Sequence, residues 1–232
     1  MTLLPTDRVQ QPELDIVSIP ALPTLSPQYK PREHNQWLRQ VLSHQIPRAR
    51  IMTFEYGFTT QGDHDTETIS SWQMLLEQAI ALVMGLTMRR EGVEHRPIVF
   101  VCHSFGAFIL KKALIIAKEQ HQFRHILENT SCIVFLGCLH DENHPNVEEL
   151  CIKCAAVELG AMKKAEPLRR PGDWHAITEV MERFRTLDAP FQVRGFFELK
   201  PTFAQPHRPC FSVAVLESIV TSLWLPQVAS SS

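Results

Sequence analysis

Ser104 carries the sharpest chemical signal in this chain. It lies in Cys102-His103-Ser104-Phe105-Gly106, one substitution away from Gly-x-Ser-x-Gly, the pattern of a nucleophile elbow. There a serine occupies a strained strand-to-helix turn, its hydroxyl stands above the sheet, and the N–H of the next residue, here Phe105, helps to hold a developing oxyanion. The positions two before and two after the serine must be small, because strand and helix backbones nearly touch; Cys102 and Gly106 meet that demand. A five-residue pattern is common in ordinary turns, so the flanks decide its weight. Before it, Ile98-Val99-Phe100-Val101 is a short apolar run with Pro97 tolerated at its start. After it, Phe108, Leu110, Ala113, Leu114 and Ala117 recur at near-helical spacing, which leaves Lys111, Lys112 and Lys118 for solvent. The plainer reading is a βα unit in which Ser104 merely caps the helix.

The elements needed to position such a serine follow along the chain. Residues 1–14 are expected to be disordered or extended, and most of the proline-rich stretch to residue 35 to be loop, with one short strand at Asp15-Ile16-Val17-Ser18-Ile19. Trp37-Leu38 and Val41-Leu42 predict a helix ending before Pro47, then a strand from Ala49 to Phe54. Thr66 to Arg90 predicts a long amphipathic helix with Ile69, Trp72, Leu75, Leu76, Ala79, Ile80, Val83, Met84 and Met88 on one broad face. Beyond the serine, His121 to Asn129 form a short helical connection and Ser131 to Gly137 a buried strand. Asn146 to Lys164 and Trp174 to Leu187 predict helices, Phe191 to Phe197 and Phe211 to Val215 strands. Strands alternating with helices indicate a mostly parallel sheet with helices on both faces. One α/β domain over 15–225 and a flexible tail at 226–232 account for the chain.

Composition narrows the classes. With 232 residues and 44 % hydrophobic content, one substantial core is the economical solution. A net charge of −2 with both signs interspersed gives no footprint for nucleic acid. No stretch predicts an integral membrane segment or a secretory signal, so a soluble, cytoplasmic protein is expected. The six cysteines read mostly as small apolar residues in a reducing compartment. Cys138, His140, His144, Cys151 and Cys154 could suggest zinc, but Cys151 and Cys154 share a face of an amphipathic helical pattern, and packing is the preferred reading. Asp63 and Asp65 are read as capping or solvated residues. No metal or other cofactor is expected.

In this order, Asp15-Ile16-Val17, Trp37-Leu38, Ala49-Arg50-Ile51-Met52-Thr53-Phe54-Glu55-Tyr56-Gly57, Arg96-Pro97-Ile98 leading to His103-Ser104, Lys111-Lys112-Ala113-Leu114 and Phe135-Leu136-Gly137 with His140 resemble an α/β-hydrolase-like domain. It is the kind found ahead of NACHT or ankyrin-repeat regions in fungal proteins, related to the serine-active-site, lipase-like proteins. The resemblance covers roughly residues 15–216 and implies an α/β-hydrolase fold with a Ser, acid, His triad acting on a small acyl or lipid ester. It implies Ser104 as nucleophile, Glu198 as acid, His207 as base, and the N–H groups of Phe105 and Leu22 as oxyanion donors. Two departures bear on activity. Where the family has His-Gly-Leu-Gly after its opening strand, this chain has Pro20-Ala21-Leu22-Pro23; and where the family's histidine usually lies beyond the final strand, residues 208–232 contain none, which leaves His207, flanked by Pro206 and Pro209 ahead of that strand, as the sole histidine after Glu198. His103 reads as a packing residue. Two functions therefore remain open: an impaired serine esterase, or a catalytically inactive module of the same fold with a protein partner in association or signalling.

Overall fold

The computed structural model describes residues 2–5, 11–21, 42–43, 45–56, 71–137 and 171–196. Its six strands are β1 (Thr2–Pro5), β2 (Leu14–Ile19), β3 (Ala49–Glu55), β4 (Ile98–His103), β5 (Thr130–Leu136) and β6 (Gln192–Phe196). The described helices are α1 (Ser71–Arg89), α2 (Gly106–Glu119), the short α3 (Arg124–Glu128) after a 3₁₀ turn, and α4 (Pro171–Arg185). One sheet runs in the order β1-β3-β2-β4-β5-β6. Every pair is parallel except the edge pair of β1 with β3. The architecture is α/β, a mostly parallel sheet with helices packed against it, as expected from sequence.

Side chains alternate across this sheet with the period of two that strands impose. Val17, Ile19, Met52, Phe54, Phe100, Cys102, Ile133 and Phe135 face the layer of α1, α2 and α4. Leu14, Ile16, Ile51, Val99, Val101, Cys132 and Val134 face the other side with Leu42 and Ile46. Central strands buried on both faces read as unbroken apolar runs, which is why Ile98 to Val101 lacks any polar alternation. Cys102 and Cys132 are buried, and burial pushes the Cys132 thiol up to about 11.

Four expectations need correction. Besides the one short strand expected in the proline-rich stretch, the N-terminus contributes a second, with Thr2 opposite Glu55 and Pro5 opposite Met52; proline is tolerated there because β1 is an edge. Helix α4 starts at Pro171, ahead of the start expected at Trp174; proline suits a first helical position, whose N–H needs no partner. On α1, Leu75, Ala79, Leu82, Val83 and Leu86 are buried, whereas Ile80, Met84 and Met88 are exposed, Met88 by 75 %. The apolar face is wider than the layer that covers it, and periodicity alone does not locate its edge.

Lys111 and Lys112 are buried rather than solvated. The Lys111 ammonium lies 5.7, 5.1 and 5.5 Å from the ring centres of Phe108, Phe135 and Phe184 and donates to Met181 Sδ at 3.0 Å. Aromatic faces carry negative charge that attracts a cation, so this contact ties α2 to α4. Burial lowers the Lys112 pKa, with the nearby Glu179 charge opposing. Lys118 alone of the three is exposed and donates to the Thr186 carbonyl at 3.3 Å.

At the opposite end of the sheet from Ser104, the fully buried Asp15 carboxylate gathers three arginines. Arg50 grips it with Nε at 2.7 Å and Nη2 at 2.8 Å, Arg96 donates at 3.1 Å, and the fully buried Arg90 donates from Nη1. Asp15 stands opposite Arg50 on β3 and Ile98 on β4. The cluster therefore pins the register of the central three strands at their N-terminal ends.

Candidate functional site

The strand order locates a site before any side chain is considered. From β2 the chain crosses to β3 on one side, then returns past β2 to place β4, β5 and β6 on the other. The crossovers that diverge from β2 and β4 leave a crevice beyond their C-terminal ends, where open parallel sheets bind ligands. Ser104 follows β4, and Pro20 and Ala21 follow β2.

At Ser104 the backbone has φ of 50°. That is the left-handed region, which costs an L-residue about 1–2 kcal/mol. The turn is held from both directions: Ser104 N–H donates to the Leu136 carbonyl at 2.9 Å, and the Ser104 carbonyl accepts from Ala107 N–H at 3.1 Å. Helix α2 begins immediately after, with Phe105 as its N-cap at φ −59° and no side chain capping it. Ser104 is thus not the N-cap of α2. The side chain of Ser104 is half-buried, while Phe105 is 2 % exposed.

Gly106 explains why this turn needs a residue without a side chain. A Cβ built there would lie 2.6 Å from the Ile19 carbonyl oxygen and 2.7 Å from that of Pro20. The first turn of α2 therefore rests directly on the backbone leaving β2. Gly106→Ala is expected to cost about 1–3 kcal/mol, as overpacking in a filled site does, and to displace residues 19–21 from the serine. The check is a lowered urea midpoint at an unchanged slope.

Tyr56, directly after β3 and part of the Ala49-to-Gly57 segment that carries the resemblance, had no role expected of it from sequence. Its hydroxyl donates to the Pro20 carbonyl, and its ring meets Phe54 edge to face, with centres 5.2 Å apart and planes at 88°. Only the fold's parallel pairing of β2 with β3 brings Tyr56 and Pro20 together, so no local pattern could have announced it.

Of the site residues proposed from sequence, Ser104 and Phe105 stand at the C-terminal edge of β4, and Leu22, Glu198 and His207 lie outside the described residues. Cys138, His140, His144, Cys151 and Cys154 lie outside them as well. His103, the last residue of β4, is half-buried. Among the described residues no helix is long and apolar enough to cross a membrane.

No protein-family model matches the chain. Protein SERAC1 of Bos taurus is 27 % identical over 174 residues, covering 72 % of this chain and 25 % of that protein. Its Homo sapiens counterpart is 26 % identical over 180 residues with the same shares. The chain spans about a quarter of the length of these curated relatives. Among solved structures, carboxylesterase Cest-2923 of Lactobacillus plantarum is 10 % identical with a TM-score of 0.45, covering 98 % of this chain and 90 % of that one. The type II thioesterase BorB is 12 % identical with a TM-score of 0.42, covering 96 % and 95 %.

Proposed function

We propose that this chain is a serine hydrolase-like domain that cleaves a small acyl or lipid ester through Ser104. The observation that carries the reading is a serine held at φ 50° in the turn between a central parallel strand and the helix after it, at the switch point of the sheet. Backbone strain of this kind persists where surrounding structure over-determines it, and it concentrates at sites of chemistry. In this reading Ser104 Oγ attacks the ester carbonyl carbon and transfers its proton to His207, which Glu198 orients. The tetrahedral oxyanion is met by the N–H groups of Phe105 and Leu22. The leaving alcohol takes the proton from His207, and water then releases the acyl group from Ser104 by the same path in reverse.

Turnover in this scheme is slow. Pro20 and Pro23 bracket the donor loop where the family carries glycines, and loss of one well-aimed oxyanion donor costs about 10²–10³ in rate. The same two departures, the proline-bracketed loop and the single late histidine, favour the second reading, an inactive module of this fold that associates with a protein. A fluorophosphonate probe separates the two. The hydrolase reading expects one adduct per chain, mapped by peptide mass spectrometry to Ser104 and lost in His207→Ala. A wild-type protein that stays unlabelled at millimolar probe selects the inactive module.

A further inference from the structure

Charge does not balance at the N-terminal end of the sheet. The guanidinium groups of Arg50, Arg90 and Arg96 converge on the single carboxylate of Asp15, so the cluster keeps two positive charges in excess. Buried charges are normally paired, and here the neighbouring acids are engaged elsewhere. Glu94 Oε1 accepts the Gly92 N–H at 2.8 Å, and Glu13 pairs with Arg48. Among the described residues no second carboxylate pairs with any of the three arginines. The excess is felt within the cluster: burial lowers the Arg90 pKa against the pull of Asp15, and the charges of Arg50 and Arg96 lower it further.

The three arginines differ in the donors they have left. Arg50 directs Nε and Nη2 to Asp15 and Nη1 to the Arg89 carbonyl at 3.1 Å. Arg90 directs Nη1 to Asp15 and Nη2 to the carbonyls of Glu94 and Arg96, and its side chain has no exposed surface. Arg96 gives Nη1 to Asp15 Oδ1 at 3.1 Å, and among the described residues its Nε and Nη2 meet no acceptor. Those two nitrogens form one edge of the guanidinium, the fork that matches two oxygens of a phosphate. The Arg96 side chain is 12 % exposed and that of Arg50, on the same Asp15 oxygen, 20 %, so solvent reaches both. We infer that this end of the sheet binds a free phosphate-class oxyanion, with the Arg96 Nε–Nη2 edge as the fork, Arg50 as the flanking charge and Asp15 as the group that orients both. A dianion offsets both excess charges while two of its oxygens fill the fork, which chloride cannot do. The recess suits a small soluble ion better than a headgroup fixed in a bilayer. The site lies at the opposite end of the sheet from Ser104 and does not depend on the hydrolase reading.

Thermal melting of the wild-type chain in sodium phosphate and in sodium chloride of equal ionic strength tests it. An ion that binds only the folded state stabilises by mass action, so phosphate at ten times its dissociation constant is expected to raise the melting temperature by about 3–6 °C over chloride. Arg96→Lys keeps a cation beside Asp15 but removes the fork. It is expected to weaken phosphate binding about 10- to 100-fold in titration calorimetry, the loss of a charge-assisted hydrogen bond, while its melting temperature in chloride stays near that of wild type. Equal wild-type melting temperatures in phosphate and chloride overturn the inference. So does phosphate binding that Arg96→Lys leaves intact, because the ion would then sit on other surface cations. Co-sedimentation of the wild-type chain with phosphatidylcholine vesicles containing phosphatidic acid, and not with phosphatidylcholine alone, would overturn the assignment to a free ion.

Discussion

Replacing Ser104 with alanine is expected to lower hydrolysis of an activated ester such as 4-nitrophenyl butyrate by about 10³–10⁴-fold. Removing the nucleophile of an intact triad costs on the order of 10⁶, and about 10²–10³ of that is already forfeited here by the proline-bracketed donor loop. What remains depends on the hydroxyl, since in the proposed mechanism the acyl-enzyme bond forms on that oxygen and on no other. Stability should move the other way with glycine. At φ 50° an alanine keeps the strain that serine bears, whereas Ser104→Gly releases it and is expected to stabilise the fold by about 1 kcal/mol. A variant that gains a few degrees of melting temperature while losing turnover would show that the strain is held for chemistry. Unaltered turnover in Ser104→Ala would assign the activity to another group and remove the basis of the hydrolase reading.

The turn itself was readable because each local rule agreed: an apolar run, a serine between small residues, then helical spacing. Collinear elements such as Ala49 to Phe54 were also legible. Less so were properties set by elements far apart in sequence. Lys111 sits at a position that helical periodicity assigns to solvent, but α4 arrives about 70 residues later to cover it with Met181 and Phe184. Met84 and Met88 lie on an apolar arc, and only the placement of α2 decides which part of that arc is buried. Tyr56 meets Pro20 because β2 and β3 are neighbours, and the sequence states which segments are strands more plainly than which strands are neighbours. The amino-acid pattern therefore carries the turn at Ser104, while its supports come from topology.

Asp15 belongs to the same class, and its loss should produce the largest stability effect in the molecule. An aspartate opening an apolar strand reads as a polar end residue. In the fold its carboxylate is fully buried and receives Arg50, Arg90 and Arg96. Arg90 is fully buried too, and its remaining Nη2 donates to the carbonyls of Glu94, at 2.7 Å, and Arg96. Burial holds the Arg90 pKa below its ordinary value, and the Asp15 charge opposes that pull. Asp15→Asn keeps the shape but leaves three guanidinium groups converging without their counter-charge. Breaking a buried pair in this way costs about 3–5 kcal/mol, against a total of about 5–15 for a typical domain. Arg50→Met, which removes a partner still 20 % exposed, should cost much less, because solvent screens it and two arginines continue to neutralise Asp15. Urea unfolding of the two variants at low and high salt is the check. The expected outcome is a large Asp15→Asn loss that salt barely alters, since a buried charge is poorly screened. A loss under 1 kcal/mol, or one erased by salt, would mean that the cluster is a solvated surface pair and that the register of β2 between β3 and β4 is set by its apolar side chains alone.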